Sequence, residues 1–321
     1  MEYLNDLISV NTMQDLLRES RDCVLAISGG QDSMMLLHWF AKNRDQFSQR
    51  IRVVHVNHGI SDQSDTWAEF VLHQCDQYGI PSVSMKVSLD NLSNNLEYAA
   101  RQARYQALCG QGADAICTAH HANDQIENFF LRVFRGSGVR GLKAMSVSSP
   151  CWWDSNVKLI RPMLNVTKSQ IEQYIEQHEV SYVTDPSNAN DQFDRNYVRN
   201  QIWPVVSHRF DIADINTLKS IQHLGEAWQL ISELADQDLK ATSNHDGTLN
   251  WPALKELGYL RIKNLILRLM DINEIYNIKI GHIEQFSRGL VTATSDSRNE
   301  LNVRGFRMYK TGHVIFQETV Q

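Results

Sequence analysis

The amino-acid sequence predicts an α/β fold: a doubly wound parallel sheet with a second, smaller, mainly helical domain after it. Three observations predict it. Short β-rich runs alternate with helical stretches over the first 210 residues. A glycine pair stands between the first of these runs and the helix that follows. Past Asp211 the apolar spacing becomes helical. Strands separated by helices imply parallel pairing, with helices on both faces of the sheet.

Buried strands are predicted at residues 23–27, 51–56, 83–87 and 115–119, and at Leu159-Ile160, each a short run rich in Val, Ile, Leu, Ala or Cys. Helices are predicted between them at 32–42, 62–78, 94–109 and 123–135, and Gly79-Ile80-Pro81 stops the second of these. Beyond Asp211, Leu218, Ile221, Leu224, Trp228, Ile231 and Leu234 form one apolar stripe, and Tyr259, Ile262, Leu265, Ile266 and Leu269 form another. The tail reads as one strand over 301–310, a Thr311-Gly312 turn and a second strand over 313–317. Phe306 and Met308 mark the buried face of this hairpin, with Val314 and Phe316 after the turn. The expected domains are therefore 1–210 and 211–321, a length of 321 residues suiting two.

Composition narrows the class. An apolar content of 42% supports a real core, and no run of about 18 apolar residues predicts a membrane span. The first ten residues mix Glu2, Asn5 and Asp6 with Leu and Ile, which is not a signal peptide, so a cytoplasmic protein is expected. Cys23, Cys75, Cys109, Cys117 and Cys151 are odd in number and never form a C-x-x-C pair, which argues against a disulfide framework or a zinc knuckle. The net charge of −6 does not itself suggest nucleic acid, but Arg101, Arg104, Arg132, Arg135, Arg140 and Lys143 crowd one stretch, and Arg195, Arg199 and Arg209 another.

The most informative residues are Ser28-Gly29-Gly30-Gln31-Asp32-Ser33, directly after the first strand and entering a helix. Two glycines let the backbone turn and approach a ligand without a Cβ, and the helix N-terminus offers unpaired N–H groups to phosphate. The two serine hydroxyls add donors, and Asp32 suits a magnesium ion that neutralises a polyphosphate. A tight strand-to-helix turn with Asp or Ser as cap is the competing reading. The sequence has neither G-x-x-x-x-G-K-[ST] nor G-x-G-x-x-G, which disfavours a Walker loop and dinucleotide binding.

Further segments carry polar chemistry. His55-Val56-Asn57-His58-Gly59 ends the second strand, where α/β sheets bind ligands, although a polar strand end that caps the sheet explains it by itself. Arg101 and Arg104 share a helix face that suits phosphate or solvent equally. His120-His121-Ala122-Asn123-Asp124-Gln125-Ile126-Glu127 follows the fourth strand and places Asp124 and Glu127 on one helical face, where acidic residues also favour the helix dipole. Arg135-Gly136-Ser137-Gly138, Arg161-Pro162-Met163-Leu164, Asp185-Pro186-Ser187-Asn188 and Asp194-Arg195-Asn196-Tyr197-Val198-Arg199 complete the series.

The S-G-G-x-D-S loop resembles that of the PP-loop ATP pyrophosphatases, and all the segments in this order resemble tRNA(Ile)-lysidine synthetase. The resemblance runs from about Cys23 to about Pro204 and more weakly through the helical tail. It departs at Asn123 and Asn128, where the family has Asp and Thr, and the chain ends before a further C-terminal domain that many members carry, so it resembles the shorter ones.

The resemblance implies a PP-loop fold that binds ATP on Ser28, Gly29, Gly30, Gln31, Asp32 and Ser33, with His55 and Asn57 nearby and magnesium on Asp32. It implies that the C2 oxygen of the first anticodon cytidine of a tRNA(Ile) precursor with a CAU anticodon attacks the α-phosphate. Free lysine then displaces AMP. Asp32, His121, Asp124 and Glu127 are the implied catalytic residues, the two latter carboxylates handling the lysine ammonium, and Arg104, Arg135, Arg195 and Arg199 the contacts to tRNA or phosphate. A homodimer is left open. Two rival readings are a PP-loop tRNA thiolase, which would need paired cysteines where Cys109 and Cys117 read as core, and a degenerate RNA-binding module. Arg304, Arg307 and Lys310 in the tail are either RNA contacts or solvated strand residues, and Trp152-Trp153 either stacks on a base or packs a domain edge.

Overall fold

A computed structural model describes residues 7–88, 96–186, 190–273, 275, 279–303 and 305–319. The chain forms two compact units, Met1–Ile221 and Gln222–Gln321. Ser187, Asn188 and Arg304, singled out in the sequence, lie outside the described residues.

In the first unit, helix α1 (Val10–Leu17) precedes an alternating series: β1 (Asp22–Ala26), α2 (Gln31–Lys42), β2 (Arg50–Asn57), α3 (Ser64–Gln77), β3 (Ser82–Lys86), α4 (Leu96–Cys109), β4 (Ala115–Thr118) and α5 (Ala122–Phe134). Then follow α6 (Val139–Leu142), β5 (Ser148–Pro150), β6 (Lys158–Ile160), α7 (Lys168–Gln177), α8 (Asp194–Tyr197) and α9 (Trp203–Arg209), with a π-helical turn, Val198–Ile202, between the last two. The sheet order is β3-β2-β1-β4-β6-β5. All its pairings are parallel except β5 with β6, so the sheet is mostly rather than wholly parallel, with one short antiparallel edge strand.

Residues alternate across this sheet as strand geometry requires. Cys23, Leu25, Ile51, Val53 and Cys117 face a core with Met13, Leu17, Leu36 and Ile171. Val24, Val54, Ile116 and Leu159 face a second core with Tyr105 and Leu108 of α4. Burial on both faces accounts for the uninterrupted apolar runs of β1 and β4. The chain leaves β1 toward β2 on one side and β4 on the other, which makes the gap beyond the carboxyl ends of β1 and β4 the topological switch point.

Helix α10 (Ala213–Thr242) contains the division between the two units. The second unit continues with β7 (Leu249–Asn250), α11 (Trp251–Glu256), α12 (Gly258–Ile272), α13 (Ile280–Thr292), β8 (Asn299–Val303), β9 (Phe306–Thr311) and β10 (Val314–Thr319). Its antiparallel sheet, ordered β7-β10-β9-β8, packs Leu249, Leu301, Phe306, Met308 and Ile315 against Ile262, Leu265, Ile266 and Phe286.

The tail corrects three expectations. The expected strand over 301–310 is two strands, β8 and β9, because Gly305 (φ +80°) turns the chain between them. Ile315 rather than Val314 or Phe316 is buried on β10, and Phe316 stacks on Tyr309 at 5.1 Å on the other face. Lys310 is not a solvated strand residue: it is buried, its ammonium donates to the carbonyls of Thr294, Ser295 and Ser297, and it lies 4.2 Å from the Trp251 ring centroid. Arg307 is bound to Glu300 and Glu318.

Candidate active site

The loop between β1 and α2 is tied to itself. The Ser33 hydroxyl accepts from the Ser28 and Gly29 N–H groups (3.2 and 3.1 Å) and donates to the Gly30 carbonyl (2.8 Å). Gly29 has φ +94°, and a Cβ there would lie 3.1 Å from methyls of both Val71 and Val183, so glycine is required by conformation and by space. Gly30 caps α2 without a side-chain bond, leaving the first-turn amides of Gln31, Asp32 and Ser33 with no side-chain oxygen from the cap. This is the anion-receptive helix start that the sequence predicts.

Asp32 stands in that first turn, one-third exposed, and has two partners. One is Lys168, whose Nζ lies 2.7 Å from Oδ1, and the other is His121, whose Nε2 lies 3.7 Å from Oδ2. His121 comes from the loop after β4, across the switch point. It is the N-cap of α5: its Nδ1 accepts from the Asn123 N–H at 3.3 Å, and its own N–H donates to Asp124 Oδ2 at 2.8 Å. His121 Nε2 is also 3.5 Å from that carboxylate. The capping box thus fixes the imidazole between Asp32 and Asp124.

Asp124 and Glu127 share one face of α5, as their spacing predicts, and both are buried. They do not stand open: Arg195 donates to Asp124 (2.7 Å) and to Glu127 (2.7 Å), and Arg199 donates to Glu127 through Nε (2.6 Å) and Nη2 (3.0 Å). Two residues expected to meet phosphate therefore pair with two residues expected to meet an ammonium. Arg199 lies in the π-helical turn, an irregularity common at functional sites. Burial opposes ionisation of Asp124, yet His121, Arg195 and His120 and the His121 N–H outweigh it and hold its carboxyl below the usual range.

The remaining predicted residues divide. His55 is buried and bonded through Nδ1 to the Ile27 carbonyl at 2.9 Å, at the base of the phosphate loop. Burial lowers its pKa. Asn57 turns inward, donating to Asp65 (2.7 Å) and accepting from Gly59 N–H (2.8 Å), which shapes the strand end. Arg135 lies apart on an exposed bond to Asp194 (2.9 Å), and Arg104 is exposed on α4. Beside it His58 holds two buried, unpartnered ring nitrogens, and burial, Arg104 and His55 push its pKa to about 4. Trp152 packs edge-on against Tyr105 at 5.2 Å and underlies the Arg101 guanidinium at 5.8 Å, whereas Trp153 is exposed.

Sequence reasoning missed Lys168. Its backbone N–H donates to Asn123 Oδ1 (3.0 Å), and Thr167 and Gln170 form the capping box that starts α7. The pattern Thr-x-x-Gln ahead of Ile171, Tyr174 and Ile175 carries that signal. A cavity of about 350 Å³ adjoins it, lined among others by Asn123, Lys168, Phe210, Ile212 and Asp214.

The cysteines form two contacts unseen in the sequence, Cys23–Cys117 (Sγ–Sγ 3.4 Å) and Cys109–Cys151 (3.6 Å). Burial pushes the Cys109 thiol up to about 12 and Cys117 well above its ordinary value, so both are thiols at neutral pH.

A phosphate-receptive loop at the switch point of a mostly parallel sheet defines a PP-loop enzyme, and the chain matches the PP-loop domain family over residues 5–206. A U34-tRNA thiolase from Methanococcus maripaludis shares the fold at 16% identity and a TM-score of 0.52, covering 68% of this chain and 80% of its own. Curated relatives are closer. The tRNA(Ile)-lysidine synthase of Haemophilus ducreyi is 34% identical over 92% of this chain and 67% of its own length. That of Actinobacillus pleuropneumoniae is 33% identical over 96% and 73%. That of Haemophilus influenzae is 38% identical over 72% and 54%. The chain belongs to the tRNA(Ile)-lysidine synthase family.

Proposed function

We propose that this enzyme ligates free lysine to C2 of the first anticodon cytidine of a tRNA(Ile) precursor with a CAU anticodon, consuming ATP and releasing AMP and pyrophosphate. The observation that carries the reading is the continuous network Lys168–Asp32–His121–Asp124–Arg195–Glu127–Arg199, which joins the phosphate loop to the paired carboxylates. ATP binds at the α2 N-terminus on Ser28, Gly29, Gly30, Gln31, Asp32 and Ser33. Asp32, a partly exposed carboxylate in the first turn of α2, would hold a magnesium ion brought by the nucleotide. Bound there, the ion would offset polyphosphate charge.

Attack by the cytidine C2 oxygen on the α-phosphate expels pyrophosphate and leaves an adenylated cytidine. The ring carbon then carries a far better leaving group than hydroxide, and the lysine ε-amine displaces AMP. That amine has an ordinary pKa of about 10.4 and must lose a proton before it attacks. Within the cluster, Asp124 and Glu127 offset the charge of Arg195 and Arg199. An incoming phosphate and an incoming ammonium exchange partners with them, guanidinium to phosphate and carboxylate to ammonium, with no ion left unpaired. Relatives at 33–34% identity over more than nine-tenths of this chain are tRNA(Ile)-lysidine synthases, which favours ligation over the thiolase reading.

The test is to incubate the protein with ATP, labelled lysine and unmodified tRNA, digest the RNA and separate its nucleosides. A lysine-labelled nucleoside that depends on the CAU anticodon is expected. ATP binding with no lysine transferred to any tRNA would overturn the proposal.

A further inference from the structure

Lys168 occupies a position that helix physics disfavours. It is the first residue of α7, where a cation opposes the helix dipole, and that first turn holds no acidic residue to offset it. Its place is nevertheless tightly determined. Thr167 and Gln170 cap the helix reciprocally, Asn123 accepts from the Lys168 N–H, and the Tyr174 hydroxyl meets His38 Nδ1 of α2 at 2.8 Å, so α7 is docked on the helix that begins at the phosphate loop. The side chain reaches from there to Asp32 in the first turn of α2. Its ammonium therefore stands at the mouth of the uncapped helix start. Both partners of this pair are about a third exposed, so as a salt bridge alone it contributes little to stability.

We propose that Lys168 is a polyphosphate-binding residue whose ammonium leaves Asp32 for the β- and γ-phosphoryl oxygens of ATP. The inference rests on the reading that this loop binds ATP. In the free chain the lysine neutralises Asp32. When the nucleotide enters, the ammonium meets the terminal phosphates as a mobile point charge, and the freed carboxylate would be available to a cation bound with the nucleotide. As the bond between the α-phosphorus and the bridging oxygen breaks, its electron pair leaves with pyrophosphate, and Lys168 offsets that growing charge. Asn123, through its bond to the Lys168 N–H, is the positioning residue that holds this arm in place.

The test is equilibrium binding of labelled ATP in excess EDTA, where no metal contributes, with the intact chain and with Lys168→Met, Lys168→Arg, Asp32→Asn and the Lys168→Met/Asp32→Asn double variant. Circular dichroism melts confirm that each variant is folded. Lys168→Met should bind ATP about ten- to a hundredfold more weakly, as loss of a charged hydrogen-bond donor implies, while Lys168→Arg stays near the parent. Asp32→Asn should bind more tightly than the parent in EDTA, since the ammonium is no longer shared and a like charge is gone, and the double variant should lose that gain. ATP affinity unchanged by Lys168→Met in both backgrounds overturns the inference while leaving ATP binding by the loop intact. A parent chain that binds no ATP, with or without magnesium, overturns both.

Discussion

Replacement of Glu127 by Gln separates a carboxylate that organises the site from one that performs chemistry. Glu127 is 3% exposed and accepts three bonds, from Arg195 Nε, Arg199 Nε and Arg199 Nη2. An amide of the same shape keeps one acceptor and turns an NH₂ group toward a guanidinium, donor against donor. Breaking a buried ion pair costs about 3–5 kcal/mol. Two features reduce that here: Arg195 keeps Asp124 at 2.7 Å, and Arg199 is partly exposed, so water recovers some of its solvation. A loss of about 2–3 kcal/mol remains, which for a unit of this size lowers the melting temperature by roughly 4–12 °C. Thermal unfolding of parent, Glu127→Gln, Arg199→Gln and the double variant measures it. The double variant should lose clearly less than the two single losses added together, because each single change strands the other partner. A Glu127→Gln melting point within about 1 °C of the parent, with lysine transfer abolished, would refute the reasoning and assign Glu127 to the reaction alone.

Other consequences follow from the same geometry. Gly29→Ala forces a left-handed backbone on alanine and a methyl against Val71 and Val183, so about 1–3 kcal/mol of stability and most ATP affinity should be lost; a melt and an ATP titration at parental values would contradict this. Asn123→Asp keeps an oxygen for the Lys168 N–H and should retain most lysine transfer, whereas Asn123→Ala should lower it several-fold, about the effect of one buried hydrogen bond; a collapse in Asn123→Asp would show the site depends on the amide itself. His38 and His58 are held near pKa 4 mainly by burial, so in the fold they stay neutral where the unfolded chain, with imidazoles near 6.5, takes up protons. The unfolded state thus binds more protons between about pH 6.5 and 4, and stability, full above that window, falls as pH drops through it. Urea midpoints that stay level from pH 7 to pH 4.5 would contradict it.

Much of this site was legible because the chemistry is local. Two glycines between an apolar run and a helix locate the phosphate loop, and the i, i+3 spacing of Asp124 and Glu127 puts both on one face of α5. The alternation of runs gave β1, β2, β3 and β4 to within a residue or two, since burial on both faces demands continuous apolar runs in β1 and β4. β3, expected to be buried, is instead the sheet's edge strand, with no fully buried residue and Val83 exposed. What could not be read is pairing across the fold. Lys168 reaches Asp32 across 136 residues, and Arg195 and Arg199 reach Glu127 across 68 and 72, so their partners exist only once α7 and the π-helical turn are docked. Lys310 is a different failure. It shares the period-2 face of Phe306 and Met308, so its inward direction was written in the sequence, but its polarity argued for solvent until three carbonyls supplied it with acceptors.

ATP labelled at the α-phosphate distinguishes ligation through an adenylated cytidine from any other route to lysine transfer. With lysine withheld, label should appear on the tRNA and map to the first anticodon cytidine. Adding lysine should discharge that label as AMP, with one lysine-bearing nucleoside formed for each AMP released. Lysine transfer that never passes label through the RNA, or AMP formation that does not require the cytidine, would rule out an adenylated cytidine intermediate.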